Sequence, residues 1–270
     1  MKLALISVGM LAVGLALMGW TYASVGTPWG FRHASAVVQG TVGGVEIHQG
    51  VGGAIMPTPG MELPPGTQVR TSNYAEARVG MPRADVVVED RAAVTFGSPG
   101  SDILLELGRA RLVTSTQEPP LKVAARGNDV LLQLGPGRFV VGTDGKGLLT
   151  AVVMAGRLFV QEGTALPEAV AEQRLVVSVP GVPVIVSELT DEVPLSATIL
   201  PPGGERVLPT VEGRVPPGAR AYVNGEVTYP DGTGRFSLQL PPGDEPVVVV
   251  AEDILGNTTR MVLRRPGAEE

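Results

Sequence analysis

Between Leu104 and Val160 the chain repeats one phrase three times: an apolar run, a glycine turn, an arginine and a second apolar run. The copies are Leu104 to Val113 around Gly108-Arg109, Leu131 to Val140 around Gly135-Pro136-Gly137-Arg138, and Val152 to Val160 around Gly156-Arg157. Short apolar runs punctuated by Gly and Pro read as strands joined by turns, and their repetition suggests stacked β units. The spacing is uneven, so a strict solenoid does not follow. The phrase contains no reactive group. It constrains the fold and leaves the chemistry open.

Composition narrows the function classes. Gly 36 and Pro 24 are high for a globular chain, yet 44% apolar residues are enough for packed cores. Aromatics at 4% argue against a cleft that stacks sugars or bases. A net charge of −6 without a basic stripe argues against a nucleic-acid partner. Cysteine is absent, which excludes disulfides and thiolate catalysis.

The N-terminus points to export. After Met1-Lys2, the stretch from Leu3 to Trp20 carries no charge. It reads either as a cleaved signal peptide, with Thr21-Tyr22-Ala23 as the small-x-small site, or as an uncleaved single-pass anchor. The anchor is preferred, because the run exceeds a signal core and Trp20 and Tyr22 suit a membrane interface. Both readings leave Lys2 inside and export everything after about residue 24.

Strand-like runs and turns alternate from Val37 onward, and no segment holds apolar residues at i, i+3, i+4 and i+7 over three turns. Glu168 to Leu175 is the best candidate for a helical turn. The expected fold class is all-β. Residues 1–23 are the signal peptide or anchor, 24–36 a linker, and 37–189 one stacked or sandwich-like β domain. Residues 190–210 hold Pro194, Pro201, Pro202, Pro209 and Gly203-Gly204, and read as a semi-stiff spacer. Residues 211–265 form a small β-sandwich, and 266–270 a polar tail. Within that sandwich Asn224-Gly225 is the signature of a two-residue type I′ hairpin turn.

Residues 37–180 resemble the FecR-type periplasmic domain of bacterial envelope proteins. The likeness runs through Val38-Gln39-Gly40-Thr41-Val42 and Leu63-Pro64-Pro65-Gly66-Thr67-Gln68-Val69-Arg70-Thr71. It continues in Leu105 to Ala110, Gly137 to Val141 and Val153 to Val160. These are glycine and strand positions, so the resemblance implies a fold more than an activity. Regulators of that type hold a sigma factor with a cytoplasmic segment before their membrane helix. Here a single lysine precedes Leu3, and the signalling role is not carried over. Residues 211–265 resemble the small Ig-like modules of bacterial surface proteins, on Val211 to Val215, Ala221 to Gly225, Asp231 to Phe236 and Ala251 to Asn257. Such modules imply spacing or contact, not catalysis.

Candidate chemistry is sparse. His33 and His48 are the only histidines, with Glu46 near the second, and a metal site needs three or four converging ligands. Asp85, Glu89, Asp90, Asp102 and Glu106 could pair for hydrolysis, but they alternate with Val and Leu as the solvent face of strands does. No Gly-x-Ser-x-Gly occurs, and Ser98 sits in a Gly-Ser-Pro-Gly turn. Asp231, Asp253 and Asn257 offer hard oxygens for calcium, although Asp and Asn are also good turn formers. No catalytic, cofactor-binding or metal-binding residue is therefore assigned, and no cofactor is expected. The recurring Arg109, Arg111, Arg138 and Arg157 are the candidate surface contacts; they could attract an anionic partner or guard exposed edges.

The expectation is a non-catalytic exported envelope protein that binds or scaffolds another envelope component, protein or polysaccharide. It would reach the membrane through the N-terminal segment, with no nucleic acid and no small-molecule substrate. The alternative is a periplasmic component of a cell-surface signalling system, working with a separate regulator.

Overall fold

The computed structural model describes residues 36–50, 52–115, 119–203, 207–228 and 230–265. The apolar segment from Leu3 to Trp20, His33 and nearly all of the 24–36 linker lie outside the described residues. Among the described residues the fold is all-β, and no helix is long and apolar enough to cross a membrane.

The first sandwich contains β1 (Ala36–Val42), β2 (Val45–His48), β3 (Ala54–Ile55), β4 (Glu62–Leu63) and β5 (Thr67–Thr71). It continues with β6 (Glu76–Met81), β7 (Ala84–Val88), β8 (Ala93–Ser98), β9 (Ser101–Thr114) and β10 (Leu121–Ala125). It closes with β11 (Val130–Thr143), β12 (Leu149–Glu162), β13 (Glu168–Val170), β14 (Arg174–Ser178) and β15 (Ile185–Glu188).

Three strands, β9, β11 and β12, are 14 residues long, and each contains one copy of the repeated phrase. Each is shared between two layers. The first part of β9 pairs with β8 and, in parallel, with β10; from Gly108 onward β9 pairs with β7 and β11. In β11, Leu131–Leu134 pair with β10, and Gly137–Thr143 pair with β9. β12 pairs with β14 through Leu149–Val153 and with β13 through Leu158–Val160. One hydrophobic core, including Ile47 and Ile103 from one layer and Val38 and Val86 from the other, lies between the layers.

The glycines mark the crossing points because each strand changes the parity of its buried face there. Buried positions in β9 run Ile103, Leu105, then Ala110, Leu112. In β11 they run Leu132, Leu134, then Phe139, Val141, and in β12 Ala151, Val153, then Leu158, Val160. A one-residue slip exchanges the two faces of a strand, and a bulge supplies that extra residue while bending the strand. The β11–β12 register shifts between Leu134 and Gly137, within the second phrase. Gly108 (φ +81) and Gly156 (φ +93) occupy backbone that L side chains rarely adopt. A Cβ at Gly156 would lie 2.0 Å from the Pro136 carbonyl oxygen, so the close approach requires glycine as well.

The second sandwich contains β16 (Ser196–Leu200), β17 (Thr210–Arg214), β18 (Arg220–Val223), β19 (Glu226–Thr228), β20 (Arg235–Gln239), β21 (Val247–Glu252) and β22 (Thr258–Leu263). A three-stranded sheet, β16-β17-β20, and a four-stranded sheet, β19-β18-β21-β22, enclose a second core around Val211, Phe236 and Val249. Asn224 (φ 51) and Gly225 (φ 82) form the expected two-residue turn, with Val223 paired to Glu226.

Two local expectations differ from the structure. Glu168 to Leu175 is not a helical turn: it supplies β13 and the start of β14, with Gln173 at φ 58 in the connection. The stretch 190–210, read as a spacer, contains β16, which pairs along its length with β17. The described residues of both sandwiches belong to one compact unit.

Candidate functional site

The four arginines of the repeated phrase do not form one surface. Arg138 and Arg157 are exposed beside the β11–β12 bulge. Arg111 is 54% exposed along its side chain, with Nη2 3.2 Å from Glu76 Oε2 and Nε 3.0 Å from Glu89 Oε1. Arg109 differs from the others and is 7% exposed. It lies where the outer face of β9 meets the second sandwich, so it does not serve as a surface contact.

Arg109 is the centre of a charged seam. Its Nη2 donates to Glu252 Oε1 at 2.5 Å, and its Nη1 donates to the Asp253 carbonyl at 2.7 Å. Its Nε lies 3.0 Å from Glu89 Oε2, an ion contact without hydrogen-bond alignment. Tyr222 Oη donates to Glu252 Oε2 at 2.7 Å. Arg220, 5% exposed, donates from Nη1 to Asp90 Oδ1 and from Nη2 to the Asp90 carbonyl, both at 3.2 Å. The polar seam is backed by apolar packing of Val140 and Val152 on Ile254.

The seam sets its own electrostatics. Burial pushes the Glu252 carboxyl up, but the Tyr222 hydroxyl and the Arg109 guanidinium outweigh it and hold the group below its ordinary value. Burial pulls the Arg220 guanidinium down, and Asp90 with Tyr222 reverses that, leaving it raised. Burial and the bond to Glu252 hold the Tyr222 hydroxyl protonated above its usual range. The cavity at this junction, between Arg109, Thr150 and Arg220, measures about 30 Å³. That volume admits water and little else. The seam is a joint between the sandwiches.

The acidic run from Asp85 to Glu106 is likewise engaged within the fold. Asp85 Oδ1 accepts from Gln39 Nε2 at 3.0 Å, and Asp102 accepts from Arg83 Nη2 and the Lys122 amide, both at 2.8 Å. Glu106 Oε1 accepts from Gln68 Nε2 at 2.5 Å and Thr95 Oγ1 at 2.6 Å. Ser98 pairs with Ser101 across a hairpin turn. Asp231 Oδ1 accepts the amides of Thr233 and Arg235 and the Thr233 hydroxyl, which lowers its pKa. His48 Nε2 lies 3.2 Å from Glu46 Oε2. Among the described residues, no group of three or more His, Cys, Asp or Glu could hold a metal ion.

Sequence reasoning missed a second arginine-rich place. An open groove of about 720 Å³ is lined by Arg70, Arg91 and Arg126 together with Asn73, Glu106 and Leu107. No repeat marks these arginines; β5, the β7–β8 turn and the end of β10 bring them together.

No family model and no curated protein matches the chain. Among solved structures, it is similar to two crystal structures of a "putative anti-sigma factor" from Parabacteroides distasonis ATCC 8503. The TM-score is 0.38 for both, with 15% and 14% sequence identity, over 45% of this chain. The chain matches 59% of the length of each of those structures. A likeness of this degree assigns neither family nor activity.

Proposed function

We propose that this chain is a non-catalytic exported envelope protein that holds or recognises another envelope component, protein or polysaccharide. One observation carries the reading. All five carboxylates best placed for chemistry, Asp85, Glu89, Asp90, Asp102 and Glu106, are held by cations or donors of the same fold. What is left to meet a partner is shape and surface: strand edges, loops and an open groove.

The location belongs to the same proposal: tethered at the periplasmic side of the inner membrane by Leu3 to Trp20, or released after cleavage near Ala23. Fractionation with N-terminal sequencing separates the two, since a mature chain beginning at Ser24 ends the anchor reading.

The binding reading is tested by capturing partners from envelope extract with the tagged full chain, and by screening it against envelope glycans. An envelope protein or glycan retained equally by the wild type and a D85N/D102N variant is the expected result. Capture of nothing in both assays would overturn the proposal. The FecR-type resemblance of residues 37–180 also supports a second reading, a periplasmic signalling component. Deletion would then change transcription of a small gene set, whereas loss of a scaffold would change envelope integrity.

A further inference from the structure

We propose that the groove between β5, the β7–β8 turn and the end of β10 binds the carboxylate or phosphate groups of an anionic polysaccharide. The proposal rests on the envelope-binding reading and deepens it by naming the ligand class. In a chain of net charge −6, three guanidinium groups here line one concavity. Arg70 and Arg126 are exposed and Arg91 is half-buried.

The acids nearby do not cancel them. Glu106 Oε2 lies 3.3 Å from Arg126 Nη1, while its Oε1 is held by Gln68 and Thr95. Glu46 stands opposite Arg70 in the β2–β5 register, and its carboxylate contacts His48. Two of the three positive charges thus remain without a carboxylate ion pair among the described residues. Arg70 Nε donates to the neutral Gln68 side chain, and Arg91 Nε to the neutral Asn73 amide at 2.6 Å. Arg91 Nη1 is buried with no hydrogen-bond partner among the described residues. Arg91 lines the groove beside Arg70 and Arg126, and the planar guanidinium fork is suited to an oxyanion.

The backbone holds this arrangement in place. Arg91 (φ 52) and Tyr74 (φ 57) both sit in the left-handed region, which is uncommon for residues with side chains. Strain of this kind persists where the surroundings over-determine it, and it clusters at binding sites. Here the Arg91 amide donates to the Ser72 carbonyl at 3.1 Å, and the Ala92 amide to Thr71 Oγ1 at 2.9 Å, lacing the two turns together. The groove is open and large enough for a sugar unit beyond a lone ion. Among the described residues no aromatic side chain lines the groove, so recognition rests on charge.

The test uses the full chain and four polymers: polygalacturonate for carboxylate, phosphorylated dextran for phosphate, neutral dextran, and polyglutamate as an acidic polypeptide. Biolayer interferometry should show binding to one or both anionic polysaccharides, weakening with salt, and none to dextran. The R70Q/R126Q variant, changed only at exposed side chains, should bind about tenfold more weakly, the loss of roughly one charge-assisted contact. The R138Q/R157Q variant, which removes the same charge elsewhere on the surface, should bind as the wild type does. No binding to either anionic polysaccharide, equal losses in the two variants, or polyglutamate bound as tightly would each overturn the proposal. If partner capture from extract still succeeds, that failure leaves the envelope-binding reading standing.

Discussion

Arg109 and Glu252, 143 residues apart in the chain, meet at 2.5 Å and tie β9 of the first sandwich to β21 of the second. Both side chains are largely withdrawn from water, at 9% and 19% exposure, so replacing the arginine leaves Glu252 with Tyr222 and Glu89 with Arg111 as their partners at the joint. Removing one partner of a fully buried pair costs about 3–5 kcal/mol; residual exposure of the two glutamates lowers the expectation for Arg109→Met to about 2–4 kcal/mol. Arg111, two residues on and 54% exposed, touches Glu76 and Glu89, and Arg111→Met should cost under about 1 kcal/mol. Urea denaturation of the two variants checks the contrast. Equal losses would show that the seam adds nothing beyond surface pairing.

The same joint should respond to acid. The Glu252 carboxyl lies below its ordinary value of 4.5 in the folded chain. A depressed folded value contributes stability that is present above the unfolded value and is lost as pH falls through the folded one. Stability should therefore be flat near neutrality and decline on the acid side of 4.5. Glu252→Gln should be less stable at neutral pH and show a shallower acid decline. Urea midpoints across an acid series would measure this, and coincident slopes would remove Glu252 as the linked group.

The repeated phrase was readable as architecture because its glycines are where β9, β11 and β12 change layer, a local geometric need with a local signature. Asn224-Gly225 was readable for the same reason. The role of Arg109 was not, since nothing near it in sequence separates it from Arg111; what buries it arrives with Glu252 and Asp253. β16 left little trace in sequence because, of its five residues, only Ile199 is buried. Gln173, which holds the positive φ between β13 and β14, is not a residue that advertises such a turn. Nor does any run in the sequence join Arg70, Arg91 and Arg126, which come from strand β5, the β7–β8 turn and the residue after β10.

The crossing glycines can be tested directly. Gly156→Ala would put a methyl group 2.0 Å from the Pro136 oxygen at φ +93. The left-handed penalty and the overpacking together should cost about 2–5 kcal/mol. Gly163 has φ +53 but open space around it. Gly163→Ala should cost only the left-handed strain, about 1–2 kcal/mol. Thermal unfolding of both proteins distinguishes crowding at the crossing from backbone strain alone, and similar losses would deny the bulge its packing role.

Asp253 offers a test of whether the second sandwich uses its loop acids as ligands or as turn formers. Its Oδ1 accepts the amides of Leu255 and Asn257, both at 2.8 Å, and Oδ2 accepts Asn257 Nδ2 at 2.9 Å. The turn so formed presents Ile254 to Val140 and Val152, while the Asp253 carbonyl receives Arg109. An Asp side chain that caps two amides is worth about 1–2 kcal/mol, and Asp253→Ala should lose that much. Asp253→Asn keeps an oxygen in the Oδ1 position and should lose less than half of it. Calcium should leave the melting temperature of the wild-type chain unchanged, because the carboxylate oxygens already have amide donors. A calcium-dependent rise that disappears in Asp253→Asn would reverse this assignment and make the turn a cation site.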